Sequence, residues 1–463
     1  MGRLIALAFW IFAIWLIRRD TALRKGISSA LWIPTIWAFI LLSRPITMWV
    51  GFGAGSDSLE GSPLDRLFYF AIIFLALHTL SKRNVNWSLM LSKNWPIFLF
   101  YGYFLVSVLW ADSPISSFKR WFKDLGNVFV AAVILTEVNP MEAFRAVFVR
   151  CAYILIPLSE IYIRYLPEQG RHYSRSGGLE ITGVTTQKNS LGIMALICCL
   201  VLIWDWFERL RPGAKRMKRF DRYLPVVILL FGAYLMHLSD SKTSMVCMAL
   251  GTVVLLSIKL PFLRKRVGAL GGYTMGAFGS FFLLDWLVGG VKEMVVGGLG
   301  RDMTFTGRTD VWHDLLELHT DPIIGTGFCS IWSDERYLSQ LPLVAGSAHN
   351  GYLETYLDGG VLGLVVLGVL LLAMGWRVNR QLRTLEDYSL IRFTILLAII
   401  VGSFSESHFG RMGPLWFVFI LTSLTIPTGR RRAFGAGPQS SSPVAAPAQS
   451  ASATVPVFSP LPS

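Results

Sequence analysis

A polar stretch between residues 307 and 363 carries the side chains best suited to chemistry. It contains Arg308 and, further along, the adjacent pair His349 and Asn350. An arginine grips anions with a planar fork of N–H donors, and a histidine exchanges its proton near neutral pH. These residue types predict a site that holds an anionic group and moves a proton. Apolar segments flank the stretch on both sides, so they must position it.

The composition predicts the kind of protein that supplies those segments. Of the 463 residues, 53% are apolar and only 16% are charged, whereas about a quarter are charged in an ordinary soluble domain. The net charge is +14, but the Lys and Arg residues form short clusters between apolar runs. This arrangement is typical of topology signals in a membrane protein, and we expect no nucleic-acid partner.

About thirteen apolar segments have roughly the length needed to cross a bilayer. The sequence therefore predicts an all-α fold, a polytopic transmembrane bundle of about 12–13 helices with one large periplasmic loop containing short amphipathic helices. The first segment has two alternatives, an interfacial helix or an uncleaved signal-like segment. The segments centre on residues 4–17, 27–43, 67–80, 96–110, 124–137, 146–164, 190–206, 224–238, 244–258, 268–289, 360–376, 391–405 and 414–427.

Positive charge predicts the orientation of these segments. The loop at 208–222 is the most basic, and cytoplasmic loops carry an excess of Lys and Arg. Strict alternation from that loop places the polar stretch on the periplasmic side of a bacterial inner membrane. The expected organisation is a transmembrane region (1–289), a periplasmic catalytic loop (290–359), C-terminal transmembrane helices (360–432) and a disordered cytoplasmic tail (433–463), which is uncharged and rich in Pro, Ser and Ala.

Helical periodicity predicts two helices within the polar stretch. Val311, Leu315 and Leu318 recur at helical spacing, which indicates a short amphipathic helix on or near the bilayer. We expect Pro322 to end it. A second helix is expected to begin near Ser347 and to run into the next membrane segment.

The five cysteines indicate neither disulfides nor zinc. Most fall inside apolar segments, and Cys329 is alone in the outer loop. No Cys or His pair has zinc-ligand spacing, so we expect neither a metal nor a cofactor.

Several motifs resemble those of a known family. GR-x-x-x-W, P-x-x-G-x-G, H-N-x-Y-L-E and G-x-x-G-L occur in this order, and together they resemble the O-antigen ligase and polymerase superfamily. Three upstream segments resemble its exopolysaccharide-polymerase branch: LVSVLWADSPISSFKRW at 105–121, GVTTQKNSLG at 183–192 and SDSKTS at 239–244. The resemblance covers roughly residues 100–427.

The resemblance implies a metal-independent membrane glycosyltransferase. Such proteins move a glycan from an undecaprenyl diphosphate carrier to an acceptor hydroxyl on a lipid A core sugar, on another carrier-linked glycan or, in a third branch, on a protein Ser. The implied partners are the carrier-linked donor, a glycan or lipid-linked acceptor, membrane lipids and other polysaccharide-assembly membrane proteins. The diphosphate leaving group calls for cationic hydrogen-bond donors.

The same resemblance implies three catalytic roles. Arg308 would grip the diphosphate, with a surface charge or a helix-capping partner as the alternative. His349 would act as general base on the acceptor hydroxyl, which gives inversion in one displacement. Lys242 in SDSKTS lies where some ligases carry Arg, and its alternatives are an ion pair with Asp240 or an interfacial position.

Further candidates surround these three. Asn350 is expected to fix the loop or the imidazole, and Glu354 to orient either. Positive charge on the translocated side indicates attraction of diphosphate or acidic glycan, with lipid headgroup contact as the alternative. The remaining candidates for substrate contact are Arg175, Lys188 and Asn189, the basic residues Lys119, Arg120 and Lys123, Arg411, and the aromatic residues Trp312, Trp332 and Tyr337, which alternatively anchor the interface. Arg411 belongs to a polar group with Glu406 and His408 that is expected to border the same site.

Different functions remain open at this point. The SKTS and QKNSLG elements favour an exopolysaccharide or O-antigen polymerase, with O-antigen ligase as the alternative and protein O-oligosaccharyltransferase further off. A polysaccharide transporter would have the same composition but should show internally repeated halves, which the sequence does not. A non-catalytic scaffold would need no cluster of cations and imidazole.

Overall fold

A computed structural model describes residues 2–24, 26–51, 62–173, 177–210, 218–257, 266–288, 308–333, 347–383 and 388–426, with residues 297, 337 and 339. Almost all regular structure in them is helical, as predicted. The longer helices are α1 (Gly2–Leu23), α2 (Trp32–Leu41), α4 (Pro63–Ser81), α6 (Trp95–Ser107), α7 (Pro114–Leu135), α8 (Pro140–Tyr165), α10 (Lys188–Arg209), α11 (Arg219–Leu238), α12 (Lys242–Ser257), α13 (Leu270–Val288), α14 (Arg308–Glu317), α15 (Gly351–Arg383), α16 (Ser389–Gly402) and α17 (Pro414–Ser423). The short ones are α3 (Ile46–Trp49), α5 (Trp87–Lys93) and α9 (Pro167–Gly170).

Strands are confined to one small hairpin in the described residues. β1 (Arg171–Tyr173) pairs antiparallel with β2 (Leu179–Ile181), so the periplasmic loop predicted at 165–189 has a folded part.

The helices form a multi-pass membrane protein. Five described helices, α4, α8, α10, α11 and α15, are long and apolar enough to cross a membrane. Shorter apolar helices occupy Ser29–Leu41, Trp95–Trp110, Lys242–Ser257, Ser389–Gly402 and Pro414–Ser423. Every predicted apolar segment overlaps a described helix, which confirms the all-α polytopic fold. That all of them cross the membrane stays a prediction.

Burial separates the central helices from the outer ones. α8 and α10 are buried on nearly all sides, as expected for helices that are apolar all round. α4 and α11 leave most of their apolar surface exposed, which in a bilayer is the surface that faces lipid. Residues up to Pro427 form one compact unit. The predicted tail lies outside the described residues, and the division of the compact unit into membrane and loop regions stays a prediction.

Two predicted boundaries were wrong. Residues 114–123, expected in a loop, form the first turns of α7, because Pro114 stands at the first helical position, where its missing N–H costs nothing. α14 ends at Glu317 rather than at Pro322. The carboxylate of Asp321 instead accepts the N–H groups of Ile323 and Ile324, which forms a separate turn.

The second helix of the polar stretch, α15, is broken at Gly360. This glycine has φ 59° and ψ −160°, and a Cβ there would lie 2.2 Å from the carbonyl carbon of Ile323. Such a break leaves backbone groups without helical partners, and the loop 322–327 supplies them. The N–H groups of Val361 and Leu362 donate to that loop at 2.9 and 3.1 Å. In return, Thr326 and Gly327 donate to the carbonyls of residues 357 and 358, both at 2.9 Å.

A small second core holds α14 against the outer arm of α15, which runs from Gly351 to Gly359. Of the predicted apolar stripe, Leu315 and Leu318 are buried in this core, and Val311 packs against it. The helix was expected to lie on or near the bilayer, and in the structure its stripe packs onto protein. The other buried members are Ile331, Trp332, Ala348 and Leu357.

Candidate active site

The carboxylate of Glu406 joins three distant segments of the chain. It lies in the loop 403–413 between α16 and α17 and is 9% exposed. Oε1 accepts from Nη2 of Arg308 at 3.0 Å and from Nδ2 of Asn189 at 2.7 Å. Oε2 faces Nδ1 of His349 at 3.4 Å, which is long for a hydrogen bond. We call these four residues the Glu406 cluster.

These contacts fix the Arg308 side chain but leave some of its N–H donors available for another partner. It is the first residue of α14, and its Nη1 also donates to the carbonyl of Ser405. Among the described residues, these contacts engage two of the five guanidinium N–H donors. Its side chain remains 22% exposed. Arg308 can therefore bind a further anion without losing its place.

The turn that presents His349 is constrained on several sides. His349 has φ 47°, a left-handed conformation that a non-glycine residue adopts at some cost. Its N–H donates to Oγ of Ser347 at 3.1 Å, and the carbonyl of Ala348 accepts from Nε1 of Trp312 at 2.7 Å. Oδ1 of Asn350 accepts the N–H groups of residues 352 and 353, so Asn350 caps α15.

The imidazole of His349 is suited to accept a proton. Its side chain is 39% exposed. In the tautomer that is protonated at Nδ1, this N–H faces the Glu406 carboxylate and Nε2 carries the free lone pair. A carboxylate that orients a histidine in this way favours one tautomer and stabilises the imidazolium that forms.

Glu406 and His408, both in the loop 403–413, have displaced pKa values. Burial alone would raise the pKa of Glu406, but the contact with His349 and the charge of Arg308 outweigh it, and the pKa is lowered. Burial lowers the pKa of His408 to about 4, against the opposing charge of Glu406. Near neutral pH the loop 403–413 therefore contains an anionic Glu406 and a neutral His408.

Lys242 lies next to the cluster but bonds elsewhere. It begins α12, and its Nζ is 2.9 Å from Oδ1 of Asp240, which is the ion pair weighed from the sequence. The following residue, Thr243, contacts the hydroxyl of Ser405, so this turn packs against the loop that carries Glu406. Both members of the Lys242 pair are partly exposed, at 31% and 63%. Exposed pairs contribute little energy, so the amine can exchange its partner.

Behind the His349 turn lies a second polar group, which we call the Glu354 cluster. Glu354 is 2% exposed. Its Oε1 accepts from the N–H of Ala348 at 2.8 Å and from hydroxyls of Ser347 and Ser407, while its Oε2 accepts from Trp332 at 2.9 Å. Arg411 contacts Glu354 and lies 3.0 Å from Oδ2 of Asp358.

The remaining predicted site residues are placed as follows. Glu354 and Arg411, expected at the substrate, pair with each other in the Glu354 cluster. Nζ of Lys188 is 3.1 Å from Oε1 of Glu180 on the hairpin. Trp332, a candidate for sugar stacking, is buried and bonded to Glu354. Arg175 lies outside the described residues. Among those described, no group of three or more His, Cys, Asp or Glu side chains is arranged to hold a metal ion.

Sequence reasoning underestimated Glu406. From the sequence, this residue was expected only to border the site, whereas in the structure its carboxylate contacts Arg308, Asn189 and His349. The signal was the polar run SFSESHFGR between two apolar segments, since a carboxylate at the end of a membrane helix needs a partner.

Fold and cluster together define a multi-pass helical membrane protein with a polar site at one end of its bundle. Residues 225–368 match the family model described as O-antigen ligase. Over 353 residues the chain is 24% identical to the exopolysaccharide production protein ExoQ of Rhizobium meliloti (strain 1021), covering 73% of this chain and 78% of that protein. Both matches support the resemblance to the O-antigen ligase and polymerase family and to its ExoQ-like members. The matched family region contains Lys242, Arg308 and His349 but ends before Glu406.

Proposed function

We propose that this protein is an inverting, metal-independent glycosyltransferase of the bacterial inner membrane, working on the periplasmic side. It transfers a glycan from an undecaprenyl diphosphate carrier to an acceptor sugar hydroxyl, as an exopolysaccharide or O-antigen polymerase. The observation that carries this proposal is the Glu406 cluster, which brings a guanidinium and an oriented imidazole together from distant parts of the chain.

The proposed step is a single displacement. The acceptor oxygen attacks the anomeric carbon while its proton passes to Nε2 of His349. The bond between that carbon and the diphosphate oxygen breaks on the opposite face, which inverts the configuration. Arg308, with Lys242 released from Asp240, stabilises the negative charge that develops on the leaving diphosphate.

The choice of acceptor rests on different support. The ExoQ relative, named for exopolysaccharide production, and the SKTS and QKNSLG elements favour a polymerase. The matched family description, O-antigen ligase, favours the alternative in which the glycan is attached to lipid A core. Glu354 and Arg411 act in either case as positioning residues, because their polar atoms bind each other and the His349 turn.

Surface glycan profiles of a strain that lacks the gene separate these two acceptors. A polymerase defect leaves single repeat units and removes long chains. A ligase defect leaves full-length glycan on the lipid carrier. Full-length, correctly attached glycan in the deletion strain would contradict both assignments.

A purified reaction tests the chemistry itself. With a carrier-linked repeat unit as donor, we expect product with inverted anomeric configuration by NMR, at an unchanged rate in excess chelator. Retained configuration would contradict the single displacement, and loss of the reaction on chelation would contradict metal independence.

A further inference from the structure

Asn189 is the member of the Glu406 cluster to which the proposed displacement gives no task. It lies in the first turn of α10, and its side chain is half-buried. Its Nδ2 donates to Oε1 of Glu406 at 2.7 Å, and the same oxygen accepts from Nη2 of Arg308 at 3.0 Å. The amide of Asn189 is therefore a direct neighbour of the guanidinium that is proposed to hold the diphosphate.

The charge of Glu406 fixes the orientation of this amide. An ionised carboxylate accepts hydrogen bonds and donates none, so the amide nitrogen must be the atom that faces it. The carbonyl oxygen Oδ1 and the second N–H of Asn189 are left for other partners. Neither forms a hydrogen bond within the part of the chain that the structure describes. Asn189 therefore offers one acceptor and one donor next to the cluster.

The start of α10 is held in place from two sides. Before the helix, the guanidinium of Arg44, a residue that is 5% exposed, donates to the carbonyl of Val184 at 2.8 Å. Within the helix, Gly192 lies so close to the turn before α12 that a Cβ there would be 2.6 Å from Cβ of Ser241. Burying a cation is costly, and here the buried cation fixes the backbone that leads to Asn189. A side chain supported in this way is preorganised for a ligand.

The neighbouring cation is directed elsewhere. Lys188 begins α10, but its Nζ lies 3.1 Å from Oε1 of Glu180 on the hairpin. The Glu406 cluster therefore receives a neutral amide from α10. A neutral amide binds a diphosphate less strongly than a cation does, whereas its donor and acceptor match a sugar hydroxyl, which also donates and accepts.

We propose that Asn189 recognises the first sugar of the carrier-linked glycan, the one attached to the diphosphate, through a hydroxyl or amide group of that sugar. This inference rests on the proposed function, which places that sugar between Arg308 at the diphosphate and His349 at the acceptor. Both side chains face the carboxylate that Asn189 also contacts, so the sugar lies against its amide. Asn189 thereby lets the site favour the loaded carrier over the bare undecaprenyl diphosphate that the reaction releases.

The ratio of two dissociation constants tests this role. The full-length protein in phosphatidylcholine nanodiscs is titrated with the carrier-linked repeat unit, isolated from the strain that lacks the gene, and separately with bare undecaprenyl diphosphate. Native mass spectrometry gives both constants. We expect the wild type to bind the loaded carrier about tenfold more tightly, as one additional hydrogen bond allows. Asn189→Ala should lose this preference, whereas Arg308→Ala should weaken the binding of both carriers and keep their ratio.

Two further variants complete the set. Asn189→Ser, which keeps a hydroxyl donor at this position, should lose the same preference and serves if the alanine variant does not fold. Asn84→Ala is the matched control, because Asn84 is exposed in the turn between α4 and α5, and it should keep both constants.

The ratio separates recognition from a purely structural role. If Asn189 acted only by holding Glu406, its loss would change both constants alike and leave the ratio intact, which would overturn the proposal. Equal binding of the two carriers by the wild type would overturn it as well, without affecting the proposed transfer. Binding of neither carrier would overturn the proposed function and this inference together. If the preference depends on Asn189 but the purified protein transfers no glycan, the sugar site stands and the transferase assignment fails.

Discussion

The loop 403–413 contributes to two carboxylate clusters of opposite character. Glu354 is surrounded by donors that come from its own turn and from buried residues, and its arginine partner is shared with Asp358. Glu406 holds two side chains that remain partly exposed, one cation and one imidazole. A carboxylate that shares its cation with a second carboxylate builds structure, whereas one that faces an imidazole 39% exposed leaves that imidazole free to meet a substrate. The difference predicts which variants should lose activity and which should lose stability.

Removing the outward-facing imidazole should have the largest effect on activity. We expect His349→Ala to lower the transfer rate at least about a hundredfold, because no other side chain in the Glu406 cluster is placed to accept the acceptor proton. Expression and thermal stability should stay near wild type. His313→Ala is the control, since that histidine is 69% exposed and faces Glu317 within α14. Near-normal turnover of the His349 variant in a purified assay would remove its role as general base.

The two carboxylates can be compared by the same isosteric change. Glu406→Gln should lower the transfer rate roughly tenfold or more, because the amide no longer favours the reactive tautomer or stabilises the imidazolium. Glu354→Gln should instead lower the free energy of unfolding by about 3 kcal/mol, since it removes one charge from a buried pair. Transfer rate per folded protein and thermal unfolding in detergent measure both. Equal losses of stability in the two variants would erase the distinction between the clusters.

The fork of Arg308 is expected to matter beyond its charge. Arg308→Lys should lower kcat/KM for the carrier-linked donor about tenfold, because the amine cannot make two parallel contacts to a diphosphate. Arg380→Lys is the control, because Arg380 lies in the last turn of α15, at the end of that helix far from the His349 turn. An unchanged rate would leave a requirement for positive charge alone.

The last expected effect is on stability alone, as a dependence of stability on pH. The pKa of His408 is lowered to about 4 in the folded protein. At a pH between this pKa and the ordinary histidine pKa, the unfolded chain therefore binds more protons than the folded protein. Stability is therefore lost as pH falls from about 6.5 toward 4, by up to about 3 kcal/mol. His408→Gln should flatten this part of the thermal-stability profile, and a profile of unchanged slope would show that His408 is not the group responsible. Glu406, whose pKa is also lowered, contributes a further loss only at more acidic pH.

The sequence was sufficient for elements whose signal is local. Apolar length located the helices, and helical spacing identified the stripe of Val311, Leu315 and Leu318. Residue type, together with the motifs that resemble the family, singled out Arg308 and His349. Each of these features depends on neighbours within a few turns of chain.

The features that the sequence did not reveal depend on contacts between residues that are far apart in the chain. Glu406 meets Arg308 and His349 only after α16 packs beside the outer arm of α15, where Ser403 and Glu406 carbonyls accept the N–H of Gly351. The burial of Glu354 was not predicted, because an ionised side chain in an outer loop is usually exposed. Its burial follows from the approach of Arg411, and no local pattern encodes that pairing.

The break at Gly360 fixes the length of the outer arm of α15. The helix between the break at Gly360, which acts as an elbow, and the cap at Asn350 is roughly 13 Å long, at 1.5 Å per residue. Adding or deleting one residue in it would swing the His349 turn by about 100° around the helix axis. The length of this arm is therefore as much a part of the site as the side chains it presents, and sequences that share the elbow and the imidazole should share the spacing between them.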